Sequence, residues 1–373
     1  MDKPLTVALK NSNVIKYSVL ASIAAMLAYP FMVGNPYVYK WPGSDFASHI
    51  VQVTQGWGLP LYYWGDWFMR IIYYPLNLAG LDADIFYLAV CILSLIGACY
   101  CIYKFTTLIH ASWLSVVFIL VGCYGALEYF TDAIIIDFIA MYVLGMGYLY
   151  LMHRWTMDGG LSRFVLSVFI LLIAVLFHYK AGGVLLTGSG SYLVILALFK
   201  DYRKRALWSL AAVPVVAGIV LWIYSATVNG GHLYSEVGFI FNGQGELLSG
   251  PLSLKKFLTW QFNPFTLISV LASIYLIVKL RKYLTLNDIF PLLSVACFAA
   301  VLMVCGFTTV LRHPDRFGLD LSIFLCIGLY MMYALIIRNK SQLGDNWRWT
   351  YPKLVFANLG LNALIIIPRY EGI

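Results

Sequence analysis

Charge is what this sequence has least of. Only 11% of its 373 residues are Asp, Glu, Lys or Arg, while 61% are apolar and 16% aromatic, a balance that a water-soluble fold of this size could not carry on its surface. Soluble enzymes and soluble binding modules are thereby excluded. Cysteine is also scarce: Cys91, Cys99, Cys101, Cys123, Cys297, Cys305 and Cys326 all fall inside apolar runs without metal-ligand spacing, so they read as small core residues and exclude a zinc module. There is no Walker loop, no glycine-rich phosphate fingerprint and no cytoplasmic insertion able to hold a nucleotide. No repeat of hydropathy is evident, which weighs against an inverted-repeat transporter, and low-complexity segments are absent. The net charge of +8 is not gathered into a basic patch interleaved with aromatics on a soluble face, so no nucleic-acid partner is expected.

What the sequence has in abundance is long apolar runs. The first, Tyr17 to Val33, follows Lys3, Lys10 and Lys16, lacks a small-residue cleavage site and reads as a retained span. Others long enough to cross about 30 Å of hydrocarbon start near Ile85, Trp113, Ala133, Phe164, Val184, Leu207, Pro264, Phe290, Leu319 and Leu354. The expected fold is therefore all-α and polytopic, a single transmembrane domain over residues 1–373 with about eleven spans (ten to twelve). With the N-terminus in the cytoplasm, most of the 25 lysines and arginines fall inside, the sharpest cluster being DYRKR at 201–205. No cysteine pairing and no outward glycosylation sequon is found, which points to a bacterial or archaeal plasma membrane.

On that topology two extracytoplasmic loops are far longer than a helix connection needs, 34–83 and 228–263, and both are expected to carry interfacial helices. The first holds WPGSDFASHIVQVTQ, in which Asp45 and His49 are four residues apart and share one face of a helix capped by Ser44. Carboxylate and imidazole side by side suit proton chemistry, or else the stretch is a solvated interfacial helix. Downstream, Trp57, Tyr62, Tyr63, Trp64, Trp67, Tyr73 and Tyr74 crowd together, either as an aromatic belt or as a platform for sugar rings or an isoprenoid chain. LEYFTDAIIIDF places Glu128 and Asp132 at an outer mouth and Asp137 about a turn into the fourth span, where a carboxylate is either a structural partner or part of a cavity wall. His178 and Lys180, in LFHYKAGG, close the fifth span on the same side. Gly182, Gly183, Gly188 and Gly190 come next, suited to close packing or to a bent substrate path. A late outer element at 308–320 packs Arg312, His313, Asp315 and Arg316 together against the positive-inside bias, either for a function or as a self-neutralising turn.

Taken in order, GSDFASHI with Asp45, YYPLNL with Tyr74 and Pro75, YFTDAIIIDF with Asp132, and RHPDRF with Arg312 and Arg316 resemble the motifs of the GT-C membrane glycosyltransferases. There are departures. Phe46 follows Asp45 where many relatives have a second acidic residue, Tyr74 precedes Pro75 where many have a double proline, and the large soluble C-terminal domain of some relatives is missing. The resemblance implies a donor sugar carried on a polyprenyl phosphate, presented from the bilayer, and a glycan, lipid or protein acceptor on the extracytoplasmic face.

The residue types suit that chemistry. Asp45 is the candidate general base for the acceptor hydroxyl, with His49 beside it. Arg312 and Arg316 are candidates to stabilise the leaving phosphate, helped by Lys180. Glu128, Asp132, His178, His313 and Tyr74 complete the expected substrate-binding set. No cofactor is predicted; His49, His178 and His313 offer imidazoles to a divalent metal, but no spacing supports one. The expected function is an inverting membrane glycosyltransferase of the cell envelope. The alternatives are a surface-polysaccharide polymerase or ligase, and a lipid-linked-sugar transporter or flippase.

Overall fold

The computed structural model describes residues 63–81, 83–110, 135–227, 264–308 and 314–366. Among them the regular structure is helical and no strand occurs. Helix α1 covers Trp64–Leu78, α2 Ala83–Thr106, α3 Ile135–Phe138, α4 Met146–Asp158, α5 Leu161–Phe177, α6 Tyr179–Ala197, α7 Lys200–Ser225, α8 Pro264–Leu280, α9 Leu286–Thr308, α10 Pro314–Arg338 and α11 Asp345–Ile366. A π-helical stretch, Ile139–Gly145, joins α3 to α4 without a break. The expected first span, the run starting near Trp113 and the loop at 228–263 lie outside the described residues.

Three helical stretches, Ile136–Asp158, Lys200–Ser225 and Leu286–Val304, are long and apolar enough to cross a bilayer, which makes this a membrane protein. At ~1.5 Å per residue α7 is about 39 Å long, more than the ~30 Å hydrocarbon thickness. Its outward residues Leu207, Trp208, Val215, Leu221 and Trp222 are exposed, as are Leu161, Val165 and Phe169 of α5 and Leu267, Leu271 and Val278 of α8. Apolar side chains turned outward along whole helices mark a lipid-facing surface. Helices α5, α7, α9 and α11 begin several residues before the apolar runs at Phe164, Leu207, Phe290 and Leu354, because their first turns are polar: LSR, KDYRKR, LNDI and DNWR.

Helix α6 lies at the centre, packed against α5, α7, α9 and the π stretch, and α9 in turn packs on α10. Its buried face, Val184, Leu185, Tyr192, Leu193 and Leu196, is broken by glycines where neighbours come close. At Gly188 a Cβ would lie 2.9 Å from the ring of Phe298, which itself stacks on Phe324 at 5.4 Å. At Gly182 a Cβ would lie 2.6 Å from the Val175 Cα. Gly183 and Gly190, by contrast, face open space.

One end of the bundle is basic and tied by polar contacts. The Arg205 guanidinium donates to the Met157 carbonyl at 2.6 Å, and Arg154 and Arg163 both reach Asp158, at 2.9 and 3.3 Å. Gly159 and Gly160, with φ of 80° and 99°, make the turn from α4 to α5 there, in backbone conformations that side chains rarely adopt. Arg338 of α10 pairs with Asp288 of α9 at 2.7 Å. Asp288 also accepts from the Thr285 amide at 3.0 Å and from its hydroxyl at 2.8 Å, a capping arrangement for α9.

Candidate functional site

At the opposite end, α5 gives way to α6 through a single residue. His178 is extended, with φ −149° and ψ 103°, so the chain reverses between two antiparallel helices with no loop. Such a reversal is possible only because Gly182 admits the α5 backbone. The His178 amide still bonds to the Ala174 carbonyl at 3.2 Å, and its carbonyl accepts from the Gly182 amide at 2.8 Å. A side chain at this joint points out of both helices, toward whatever packs over the reversal.

Over it lie α3 and the start of α1. Nδ1 of His178 lies 3.1 Å from Oδ1 of Asp137, and both residues are buried, at 3% and 9% exposure. The same Nδ1 lies 3.2 Å from the Ala181 amide nitrogen, in the position of an N-cap acceptor. One ring nitrogen cannot donate to the carboxylate and accept from the amide at once.

Aromatic rings wall this pair. The Tyr63 ring lies over His178 at 4.4 Å between centroids and 5.3 Å from Tyr179. Tyr179 meets Tyr224, at the end of α7, edge-on at 5.6 Å. The Tyr224 hydroxyl donates to the Leu176 carbonyl at 3.0 Å and accepts from the Trp64 amide at 3.4 Å, fixing α1 onto the α5 and α7 ends. Gly65 lets α1 come this close, since a Cβ there would lie 2.7 Å from the Phe177 carbonyl oxygen.

Helix α1 has its polarity reversed. Asp66 and Arg70, at 0% and 1% exposure, are turned inward, while Phe68, Ile71, Ile72, Leu76 and Leu78 are exposed. Residues four apart share a helix face, so carboxylate and guanidinium lie along one buried stripe with Gly65, Met69 and Tyr73. An Arg and an Asp are thus both withdrawn from solvent, where charge is costly unless it is paired. Deeper in the bundle the Tyr142 hydroxyl, from the π stretch, donates to the carboxylate of Asp320 on α10.

The expected site residues divide accordingly. Asp45, His49, Glu128, Asp132, Arg312 and His313 lie outside the described residues. Arg316 lies in the first turns of α10, Lys180 in the first turn of α6, and Tyr74 is exposed on α1, one turn beyond the buried Arg70. His178 is at the site, and its partner is Asp137, which the sequence offered as a structural or cavity residue. Asp66 and Arg70 were not anticipated; the signal for them was an oppositely charged i,i+4 pair in an otherwise apolar helix. Among the described residues no group of three His, Cys, Asp or Glu side chains converges as a metal site. Searches against protein-family models and against curated proteins give no match to this chain.

Proposed function

We propose that the protein is a polytopic membrane glycosyltransferase, with about eleven spans and the GT-C architecture. It moves one sugar from a polyprenyl-phosphate carrier to a glycan, lipid or protein acceptor. The observation that carries this reading is the buried carboxylate, imidazole and guanidinium groups of Asp66, Arg70, Asp137 and His178 at the end of the bundle opposite the basic end. A lipid-carried sugar phosphate needs a polar site that is shielded from water yet reached from the bilayer, and the apolar outer face of α1 beside its charged inner face supplies such a border. Transfer requires the acceptor hydroxyl to lose a proton as it attacks the anomeric carbon. On the resemblance the base is Asp45, with His49 next to it. The phosphate leaves with the bonding electron pair, and Arg312, Arg316 and Lys180 are the cations assigned to it. Glu128, Asp132, His313 and Tyr74 are assigned to donor and acceptor. The site end is extracytoplasmic and the basic end cytoplasmic, in keeping with the positive-inside rule.

The test is turnover. Full-length protein in nanodiscs, given a panel of radiolabelled polyprenyl-phosphate sugars, is expected to release or transfer the sugar of one donor, and Asp45→Asn is expected to lower that rate about 10²- to 10⁴-fold. A second reading, a lipid-linked-sugar transporter, is favoured by the Tyr142–Asp320 pair buried within the bundle beside a π-helical stretch. Movement of intact donor across a liposome bilayer, without transfer, would decide for it.

A further inference from the structure

We propose that the turn between α4 and α5, together with the start of α7, binds the headgroup of an anionic phospholipid whose acyl chains lie along the seam of α5 and α7. This does not depend on the transferase reading. Its core is an imbalance of charge. Arg154, Arg163 and Arg205 come from three helices and meet at one turn. The carboxylate among them is Asp158, whose Oδ2 takes Arg154 at 2.9 Å and Arg163 at 3.3 Å. Arg205 donates through Nη1 to the carbonyls of Met157 and Trp155 instead, at 2.6 and 3.4 Å, and a Cβ on Gly159 would lie 3.7 Å from that nitrogen. Three guanidiniums against one carboxylate leave two positive charges at the turn. In the first turns of α7 the exposed Lys200, Arg203 and Lys204 outnumber Asp201, so nothing there cancels the excess.

The donors suit a phosphodiester. Guanidinium grips phosphate through paired N–H groups. Among the described residues Arg163 and Arg205 each use only Nη1 on the protein, so each keeps Nε–H and Nη2–H for another acceptor. Gly159 and Gly160 put no side chain over the turn, and α5 starts after them without a side-chain cap, so its positive end adds to the attraction for an anion. The bilayer side decides for a lipid over a soluble anion. Trp155 packs on Phe164 at 5.1 Å, and Phe164 meets Trp208 of α7 edge-on at 6.2 Å. Trp208 is 57% exposed, and Leu161, Val165 and Phe169 make an exposed stripe at four-residue spacing that runs down α5 from the turn. Indole rings level with cationic side chains mark the depth of lipid headgroups, and the stripe below them offers the acyl chains a path.

Trp208 makes the site readable. Full-length protein in phosphatidylcholine nanodiscs is given small fractions of phosphatidylglycerol or phosphatidylcholine carrying brominated acyl chains, which quench indole fluorescence on contact. The Trp208 signal is taken as the difference from Trp208→Phe. Half-maximal quenching is expected at about tenfold less brominated phosphatidylglycerol than phosphatidylcholine. Arg163→Gln with Lys204→Gln is expected to abolish that preference while leaving quenching by the phosphatidylcholine analogue unchanged, so loss of binding is told apart from loss of fold. Arg281→Gln with Lys282→Gln removes the same charge from the exposed basic turn after α8 and is expected to keep the preference within about twofold of wild type.

Equal quenching by the two lipids in the wild type would overturn the site. Equal loss of preference in both double variants would overturn it as well, because the attraction would then belong to the basic end as a whole. Displacement of the brominated phosphatidylglycerol by millimolar glycerol 3-phosphate would show a site for a soluble phosphate and reject the lipid.

Discussion

At Gly182 the space for one methyl group separates two helices. Its Cβ would lie 2.6 Å from a backbone atom, the Val175 Cα, which cannot turn aside as a side-chain tip can. Gly182→Ala is therefore expected to push α6 away from α5 and cost about 1–3 kcal/mol, the range for overpacking a tight contact. Thermal unfolding in detergent should show a lower Tm for it than for Gly183→Ala, whose Cβ meets nothing within 4 Å. Equal melting of the two would show that the helices are not held this close. The run KAGG suited either close packing or a bent substrate path in the sequence and did not say which glycine packs closely, since that depends on which face of α6 meets α5. Asp66 and Arg70 were hidden for a related reason: among Trp64, Trp67, Tyr73 and Tyr74 the stretch reads as an interfacial belt, and inward-facing charge is visible only once the exposed face of α1 is known. Asp288 is a simpler case, with Thr285 and Asp288 forming a capping box legible in TLND. Asp288→Ala is expected to cost roughly 1 kcal/mol through the lost cap, and Thr285→Ala to lower the Tm in the same direction.

The decisive element is the π stretch Ile139–Gly145. An i→i+5 pattern carries one residue more than an α-helical turn, so it rotates the residues before it relative to those after it. Asp137 lies just before the stretch, Tyr142 within it, and the lipid-length helix continues to Asp158. Removing one residue, for instance Val143, would let the stretch relax to α-helix and turn Asp137 by roughly 100° about the axis away from His178. The helix itself should survive. The expected outcome is a protein that still purifies from membranes with unchanged helix content, but whose Tm falls because the 3.1 Å approach of Asp137 to His178 is lost. A deletion protein with the wild-type Tm would mean the stretch does not set the register. Nothing in LEYFTDAIIIDFIAMYVLGMG marks this irregularity, because hydropathy sees only an apolar run. The helices themselves were legible from such runs, whereas the rotation that aims Asp137 at His178 depends on packing against α5 and α6.

Across the whole molecule the two ends differ in kind. One is solvated and basic, with Arg154, Arg163, Arg205 and Arg338 bonded to carboxylates or carbonyls. The other buries its charge, with Asp66, Arg70, Asp137 and His178 at 0, 1, 9 and 3% exposure. Between them runs the lipid-facing surface of α5, α7 and α8. A bilayer accepts this asymmetry in one sense more readily than the other: clustered Lys and Arg near span ends are retained on the cytoplasmic side, and the proposed function accordingly puts the buried cluster at the outer border, for a donor with a lipid tail to enter sideways. In a cysteine-free background, Ser225→Cys at the end of α7 nearest the site, and Lys282→Cys in the basic turn after α8, are both placed at exposed positions. A membrane-impermeant maleimide is expected to label the first in intact cells and the second only after permeabilisation. The opposite labelling would put the site in the cytoplasm, where a nucleotide-linked sugar is the available donor, and the polyprenyl-phosphate assignment would fall even if the aspartate–histidine pair stood.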